Sequence, residues 1–417
     1  MSSAAPDRWS AEAMRRRVRR RYRSEMIFRG LGLGAICLSV LFLAFLLWTM
    51  ASRGIGGFSQ YEAPLPIDFA KTDLFIDPAT LHGPDARQNV AGADLSGAIS
   101  KAAAAAYGPA AADMFSDAAA DRLTDAIVAK PEMLNGSATL WLPVASKIDV
   151  AAKSDGDAAS EKLVGELQEK HALRRSFNLQ FLTSADATDP SAVGVWGALK
   201  GSFYTIMVTI LLAFPIGVLA AVYLEEFARR NRWTDAIEVS INNLAAVPSI
   251  IFGLLGLAVF LDTMNLPRSA PLVGGMTLAL MTFPVIVIAG RNAIKSVPPS
   301  IRDAALGVGA SKMQVTFHHV LPLALPGILT GTIIGVARAL GETAPLLMIG
   351  MRAFVAAPPS GVTDPATVLP VQIFLWSDEV DRGFVEKTSA AIIVLLLFML
   401  LMNGLAIYLR NRFERRW

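Results

Sequence analysis

Two charged side chains stand inside an apolar stretch. Arg338 and Glu342 fall within Gly327–Ile349, which otherwise reads as a membrane span. A charge deep in a bilayer costs at least ~2.5–3.5 kcal/mol on insertion scales, so such residues face a cavity or a partner. Arg338 is 11 residues past Gly327, about 16–17 Å along a helix, which is near mid-membrane. Spaced i,i+4, the two share one helical face. Arginine presents a planar fork that matches a tetrahedral oxyanion bidentately. On this reading Glu342 holds Arg338 while the site is empty and resists other anions. Thr343 follows, and Pro345 loosens the helix just above the site. The bland alternative is an ion pair that only glues helices, although Arg before Glu is the weaker order for such a pair.

The same segment carries Gly327, Gly331 and Gly335 four residues apart, with Ala339 next on that line. A small-residue face of this kind lets a second helix approach closely, so these three glycines read as packing positions.

Six segments are long and apolar enough to position such residues in a bilayer: Gly30–Ser52, Gly201–Leu224, Val239–Leu261, Ser269–Gly290, Gly327–Ile349 and Thr388–Leu409. In lipid each must be helical, since no water satisfies a free backbone group. The whole chain of 417 residues is 53% hydrophobic and 18% charged, short of the charge an ordinary soluble domain carries. That excludes a disordered chain, a fibre and a nucleic-acid binder. A single cysteine, Cys37, and four histidines give no disulfide framework and no metal site. No phosphate-binding glycine loop is present either, so a nucleotide that drives work must sit on another subunit. The first apolar run exceeds a signal-peptide core and reads as a retained anchor.

Lysine and arginine set the orientation. They crowd Arg15–Arg23, the tail after Leu409 (Arg410, Arg412, Arg415, Arg416), the Glu225–Glu238 loop, and the Arg291–Pro326 loop. With both termini cytoplasmic, all four sets lie on one side, as the positive-inside rule requires. Only Arg268, Arg352, Arg382 and Lys387 fall in the short loops opposite. The N-terminal arginines read as a topology signal with contact to anionic lipid. Residues 51–196 hold 12 lysines and arginines against 19 aspartates and glutamates, a net of −7. This extracytoplasmic insertion reads as a small α+β domain, with a helix over Asp113–Lys130 and a strand over Ala138–Val150.

The loop 291–326 is the most informative soluble stretch. Pro298 and Pro299 stop the fourth span, and Ser300 is placed to cap a helix starting near Ile301. Asp303 falls in its first turn, Ala304 and Ala305 leave a flat surface, and Gly307 and Gly309 allow a sharp turn into a second amphipathic segment. Asp303-Ala304-Ala305, then Gly309, then Leu321-Pro322 resembles the signature loop of ABC-importer permeases, with Asp303 in place of a glutamate and His319 in place of an isoleucine. Arg338 and Gly341-Glu342-Thr343-Ala344-Pro345 resemble the phosphate-specific importers of this class, in particular their A-type permease subunit. Ser191–Tyr204, and Asn243–Leu261 with Pro248-Ser249-Ile250 and Gly253, agree with that family over about residues 191–417.

The resemblance implies an all-α membrane protein of six transmembrane helices with an ABC importer permease core, carrying the α+β extracytoplasmic insertion. The divisions are a cytoplasmic arginine-rich start (1–29), an anchor helix (30–52), the insertion (53–195), the core (196–410) and a cytoplasmic tail (411–417). It implies that Arg338, Glu342 and Thr343 line a phosphate pathway. It implies that Asp303, Ala304, Ala305, Gly309, Leu321 and Pro322 couple to an ATPase. No cofactor is bound directly, since ATP belongs to the partner and the chain itself is no enzyme. The implied partners are a homologous second permease subunit, two ATPase subunits, a periplasmic phosphate-binding protein and membrane lipid. A permease for sulfate or molybdate, and a membrane sensor or scaffold without transport, are the alternatives.

Overall fold

The computed structural model describes residues 11–69, 72, 74, 76, 81, 83, 85–154, 156–351 and 354–413. Of the arginines that bear on orientation, Arg352, Arg415 and Arg416 lie outside the described residues. Two bodies are defined, one up to Arg53 and one from Gly54 onward.

The first body is a single helix, α1, which starts at Ala11 and runs on to Gly57. The run Gly30–Ser52 is therefore the middle of a longer helix. Its side chains from Leu31 to Leu47 are exposed, as suits a surface facing lipid. Arg29 pairs with Glu25 one turn earlier at 2.6 Å.

The second body begins with the insertion. Its elements are β1 (Ser59–Asp68), α2 (Ala86–Ala91), α3 (Leu95–Tyr107), α4 (Asp117–Ala129), β2 (Ser137–Pro143), α5 (Ser146–Lys153), α6 (Ala158–Glu169), β3 (Arg174–Phe177) and α7 (Leu179–Thr183). The sheet has the order β2-β1-β3 with both pairings antiparallel. Leu65 and Ile67 of β1, Leu142 of β2, and Leu123 and Ile127 of α4 fill its core. α4 falls inside the helix expected over 113–130. The strand expected over 138–150 ends at Pro143, and 146–153 coils into α5 instead. That helix turns Asp149 back to accept the Tyr61 N–H at 2.7 Å, a bond a continued strand could not make.

β1 is the central strand, yet it contains Pro64 and Pro66, which cannot donate to a ladder. β3 pairs only with Ser59–Glu62. Both prolines fall beyond its end, where β1 has no strand on that edge. Glu62 is buried in this sheet and accepts from Arg174 at 2.6 Å and from the Ser176 hydroxyl at 2.7 Å, with Arg122 at 3.4 Å. Burial by itself would raise its carboxyl. Hydrogen bonds from Arg174 and Ser176, with the charges of Arg122 and Arg174, outweigh burial and hold it below its ordinary value.

A buried ionic knot joins the insertion to the last span, α17 (Gly383–Phe413). Lys153 Nζ donates to Asp149 at 2.6 Å, to Glu386 at 3.2 Å, and to the Gly56 and Ser59 carbonyls at 3.0 and 2.6 Å. Lys387 Nζ donates to the Gly57 carbonyl at 3.1 Å. A Cβ on Gly57 would lie 2.7 Å from the Glu386 carbonyl oxygen, so only glycine lets the backbones come this close.

Between them lie α8 (Trp196–Val222), α9 (Arg232–Ala245), α10 (Ser249–Gly256), α11 (Pro271–Lys295), α12 (Pro299–Gly307), α13 (Lys312–Gln314), α14 (Leu321–Leu340), α15 (Ala344–Met348) and α16 (Leu369–Ser377). Wider π-helical turns continue α8 over Tyr223–Phe227 and α10 over Leu257–Thr263, and join α13 to α14 over Val315–Val320. Among the described residues five helices are long and apolar enough to cross a membrane, or six if one bent pair counts as one span.

That bent pair corrects the third expected span, Val239–Leu261. α9 and α10 meet at 101°. Pro248 disfavours helix at the residue before it and breaks the run there. α10 with its π turn covers Ser249–Thr263, and because α8 and α11 on either side of the bent pair run parallel, the pair as a whole carries the chain from one end of the bundle to the other. The fifth span is also displaced. The helical run is Lys312–Leu340, not Gly327–Ile349, and a non-helical break at Gly341–Thr343 precedes α15. Pro345 thus opens a new helix rather than loosening an old one. The fourth span extends to Lys295 and the sixth runs from Gly383 to Phe413.

α11 is the hub. Parallel to it, α8 brings Val208 against Gly275 and Gly217 against Ile286. Antiparallel to it, α14 lays Gly327, Gly331 and Gly335 against Ala293, Ala289 and Thr282. A Cβ on Gly331 would sit 2.1 Å from the Ala289 Cβ.

Two outcomes follow from this packing. Gly331→Ala should destabilise the detergent-solubilised protein by about 1–3 kcal/mol through overpacking, and adding Ala289→Gly should recover most of the lost melting temperature. Glu62 loses a proton more readily in the fold than in the unfolded chain. Its contribution is therefore complete above the ordinary glutamate range and lost as pH falls through its lowered folded value. Acid unfolding followed by circular dichroism should show Glu62→Gln less stable at neutral pH, with a shallower acid transition than wild type.

Candidate functional site

Arg338 occupies the last turn of α14, and Glu342 lies past the helix end. The chain folds back enough for Nε to meet Glu342 Oε1 at 3.5 Å. The pair expected within one continuous helix is thus kept, but across a helix terminus. The break follows from Gly341, whose N–H bonds to the Arg338 carbonyl at 3.1 Å while the Glu342 N–H bonds to that of Ala339 at 3.2 Å. These tight three-residue bonds end the helix.

The depth of Arg338 follows from its neighbours. Gly335 lies against Thr282, and Ala339 shares a small cavity with Leu278 of α11 and Ile206 of α8. Leu278 is seven residues into α11, about 10 Å from its start. Arg338 therefore sits between the middle of the bundle and the end where α11 begins, shallower than the mid-membrane position expected. Its side chain is 54% exposed and that of Glu342 20%. Among the described residues neither Nη of Arg338 has a partner. The 3.5 Å contact is weak, so the fork is free to take a bidentate oxyanion. Thr343 is half-buried and stands immediately before α15. A Cβ on Gly253 of α10 would lie 2.7 Å from Pro345 Cα, so α10 seats the segment that carries Glu342 and Thr343.

At the other end of the bundle the expected helix–turn–helix is present. Its helix starts at Pro299 with Pro298 before it and no side-chain cap, so Ser300 is inside the helix rather than at its cap. Asp303 lies just past the first turn. Gly309 has φ +89°, a conformation that favours glycine. Ser311 then caps α13, accepting from the Gln314 N–H at 3.3 Å while Gln314 Oε1 accepts from the Ser311 N–H at 2.8 Å. Of the residues expected to couple, Asp303, Ala304 and Gly309 are exposed, Leu321 and Pro322 are half-buried, and Ala305 packs inward with Val297, Val315 and Val320. Leu306, Val308 and Met313 are exposed beside them. His319 is exposed too, which explains why a polar residue is tolerated at that position.

From the sequence, Arg291, Lys295 and Arg302 read only as orientation charges. In the structure Arg302 forks onto Glu226 at 2.8 and 3.1 Å and also donates to the Val297 and Ile294 carbonyls at 2.7 and 2.9 Å. Arg291 reaches Glu238 at 2.9 Å and Glu225 at 3.4 Å, and Lys295 reaches Glu225 at 3.6 Å. The adjacent acids Glu225 and Glu226, against a loop rich in cations, were the available signal.

Comparison with known proteins identifies the relatives of this chain. The family described as "Binding-protein-dependent transport system inner membrane component" matches residues 213–417. A "Domain of unknown function (DUF3333)" matches residues 15–162. The "Probable ABC transporter permease protein YqgI" of Bacillus subtilis is 33% identical over 171 residues, covering 41% of this chain and 58% of that protein. The "Phosphate transport system permease protein PstA 1" of Mycobacterium tuberculosis is 35% identical over 158 residues, 38% of this chain and 51% of that protein. The chain thus spans between half and three fifths of the length of these two relatives. The "Phosphate transport system permease protein PstA" of Haemophilus influenzae is 30% identical over 229 residues, 55% of this chain and 79% of that protein. With that coverage, the chain belongs to the PstA-type family of multi-pass inner-membrane permease proteins of ABC transporters.

Proposed function

We propose that this chain is the A-type permease subunit of an ATP-driven importer that moves inorganic phosphate by alternating access. The observation that carries the substrate is the Arg338 fork, held by one 3.5 Å contact to Glu342 with both Nη groups unpartnered among the described residues. A tetrahedral oxyanion fits that fork in place of Glu342. Weak prior pairing makes the exchange easy in both directions, which suits a site that must release its cargo. The half-exposed guanidinium faces outward from this chain, and a homologous second permease subunit would cover it and complete the pathway with Thr343.

Both termini and the bend at Gly309 would face the cytoplasm, in keeping with the arginines of α1 and of the loops beside α8 and α11. The exposed surface of Ala304, Leu306, Val308 and Met313 would dock on one of two ATPase subunits, which bind the ATP. A periplasmic phosphate-binding protein would deliver the anion on the opposite face, where the insertion would stand. Lipid would cover α1.

Phosphate uptake by the complete complex in proteoliposomes tests the site. Arg338→Gln should lower uptake by at least about tenfold, the worth of a charged hydrogen-bonded contact, and Arg338→Lys by less. Normal uptake by Arg338→Gln would sink the assignment. Sulfate or molybdate competing as well as phosphate would move the substrate to another oxyanion. For the docking surface, Val308→Asp should leave folding unchanged because Val308 is 86% exposed, yet remove the ATPase from the purified complex. Retention of the ATPase by that variant would place the docking surface elsewhere.

A further inference from the structure

α12 is short, and a short helix on a flexible loop transmits little force by itself. Here it is tied down. Arg302 leaves α12 and spends three nitrogens at once. Nε and Nη2 hold Glu226 at the end of α8, Nη1 holds the Val297 carbonyl, and Nη2 also holds the Ile294 carbonyl at the end of α11. The pair is largely shielded, with side chains 22% and 9% exposed. Glu226 sits in the π-helical turn Tyr223–Phe227, and its neighbour Glu225 faces Arg291 and Lys295. Arg291 continues to Glu238 on α9. The chain of contacts α12–α8–α11–α9 is therefore ionic and continuous. Ala305, one turn from Arg302, packs with Ala221 and Val222 of α8 and Ile294 of α11 and closes the same joint with apolar contact.

We propose that Arg302 and Glu226 are positioning residues that hand movement of α12 to α8, so that the exposed bend works on α8 as well as on its own flanking spans. This rests on the reading of that bend as the ATPase coupling surface. α8 packs along α11, and α11 along α14, which carries Arg338 at its far end. A push on α12 thus reaches the Arg338 end through one rigid stack. Neither residue touches substrate or nucleotide.

The test uses the complete complex in proteoliposomes and reads phosphate imported per ATP hydrolysed, with melting temperature followed on the same preparations. Glu226→Ala and Arg302→Ala should each lower that ratio about tenfold, within the range of measured coupling energies. Because the two act through one another, the double variant should fall about as far as either single one rather than by their product. Arg302→Lys keeps the charge but cannot span Glu226 and both carbonyls, so it should lower the ratio by a smaller factor with an unchanged melting temperature. Glu226→Asp should keep most of the coupling. A wild-type ratio in Arg302→Lys and in the alanine variants, or a double variant that falls by the product, overturns the proposal. Should the alanine variants fail to assemble, Arg302→Lys and Glu226→Asp decide it by the same ratio. A wild-type complex that hydrolyses ATP without import, or that lacks an ATPase, would count against the coupling reading itself and leave a different signature.

Discussion

In hydrocarbon, apolar side chains gain nothing by leaving lipid for one another, so helices associate only where they fit closely. The bundle depends on that fit around α11. Gly275 admits Val208 of α8, and Ala289 and Ala293 admit the glycine line of α14. These contacts fix the register of α14, and the register fixes the height of Arg338. A helix shifted by one turn would move the guanidinium about 5 Å along the bundle. The charged pair is thus positioned by residues that have almost no side chain.

Long apolar runs make the spans legible in the sequence, and the glycine spacing and the turn at Gly309 are legible there too. What escaped was decided by backbone geometry. Val239–Leu261 is apolar enough to read as one span, but a single proline, Pro248, folds it into two helices at 101°. Gly327–Ile349 is equally apolar, so hydropathy carried the helix past Leu340, where three-residue hydrogen bonds end it. β1 escaped for another reason. Pro64 and Pro66 argue against a central strand, and only the shortness of β3 makes room for them. The Arg302–Glu226 contact joins residues 76 apart, a separation no local pattern encodes.

The insertion is more than an appended domain. Lys153 and Lys387 meet the last carbonyls of α1 from two different elements, α5 and α17. Each ammonium is buried and each has acceptors, so removing one partner would leave the others uncompensated, at a cost of several kcal/mol. A domain held this way cannot swing freely about its two connections. The insertion and the start of α17 are held as one piece.

The end of α14 has one more consequence. The aligned peptide dipoles of a helix leave about half a negative charge at its C-terminus, where cations are favoured and anions are not. Arg338 stands in that last turn and is steadied by it. An anion at the proposed site would meet the same field with the opposite sign. The helix that holds the arginine in place would therefore also weaken what the arginine binds, which suits a waypoint rather than a store.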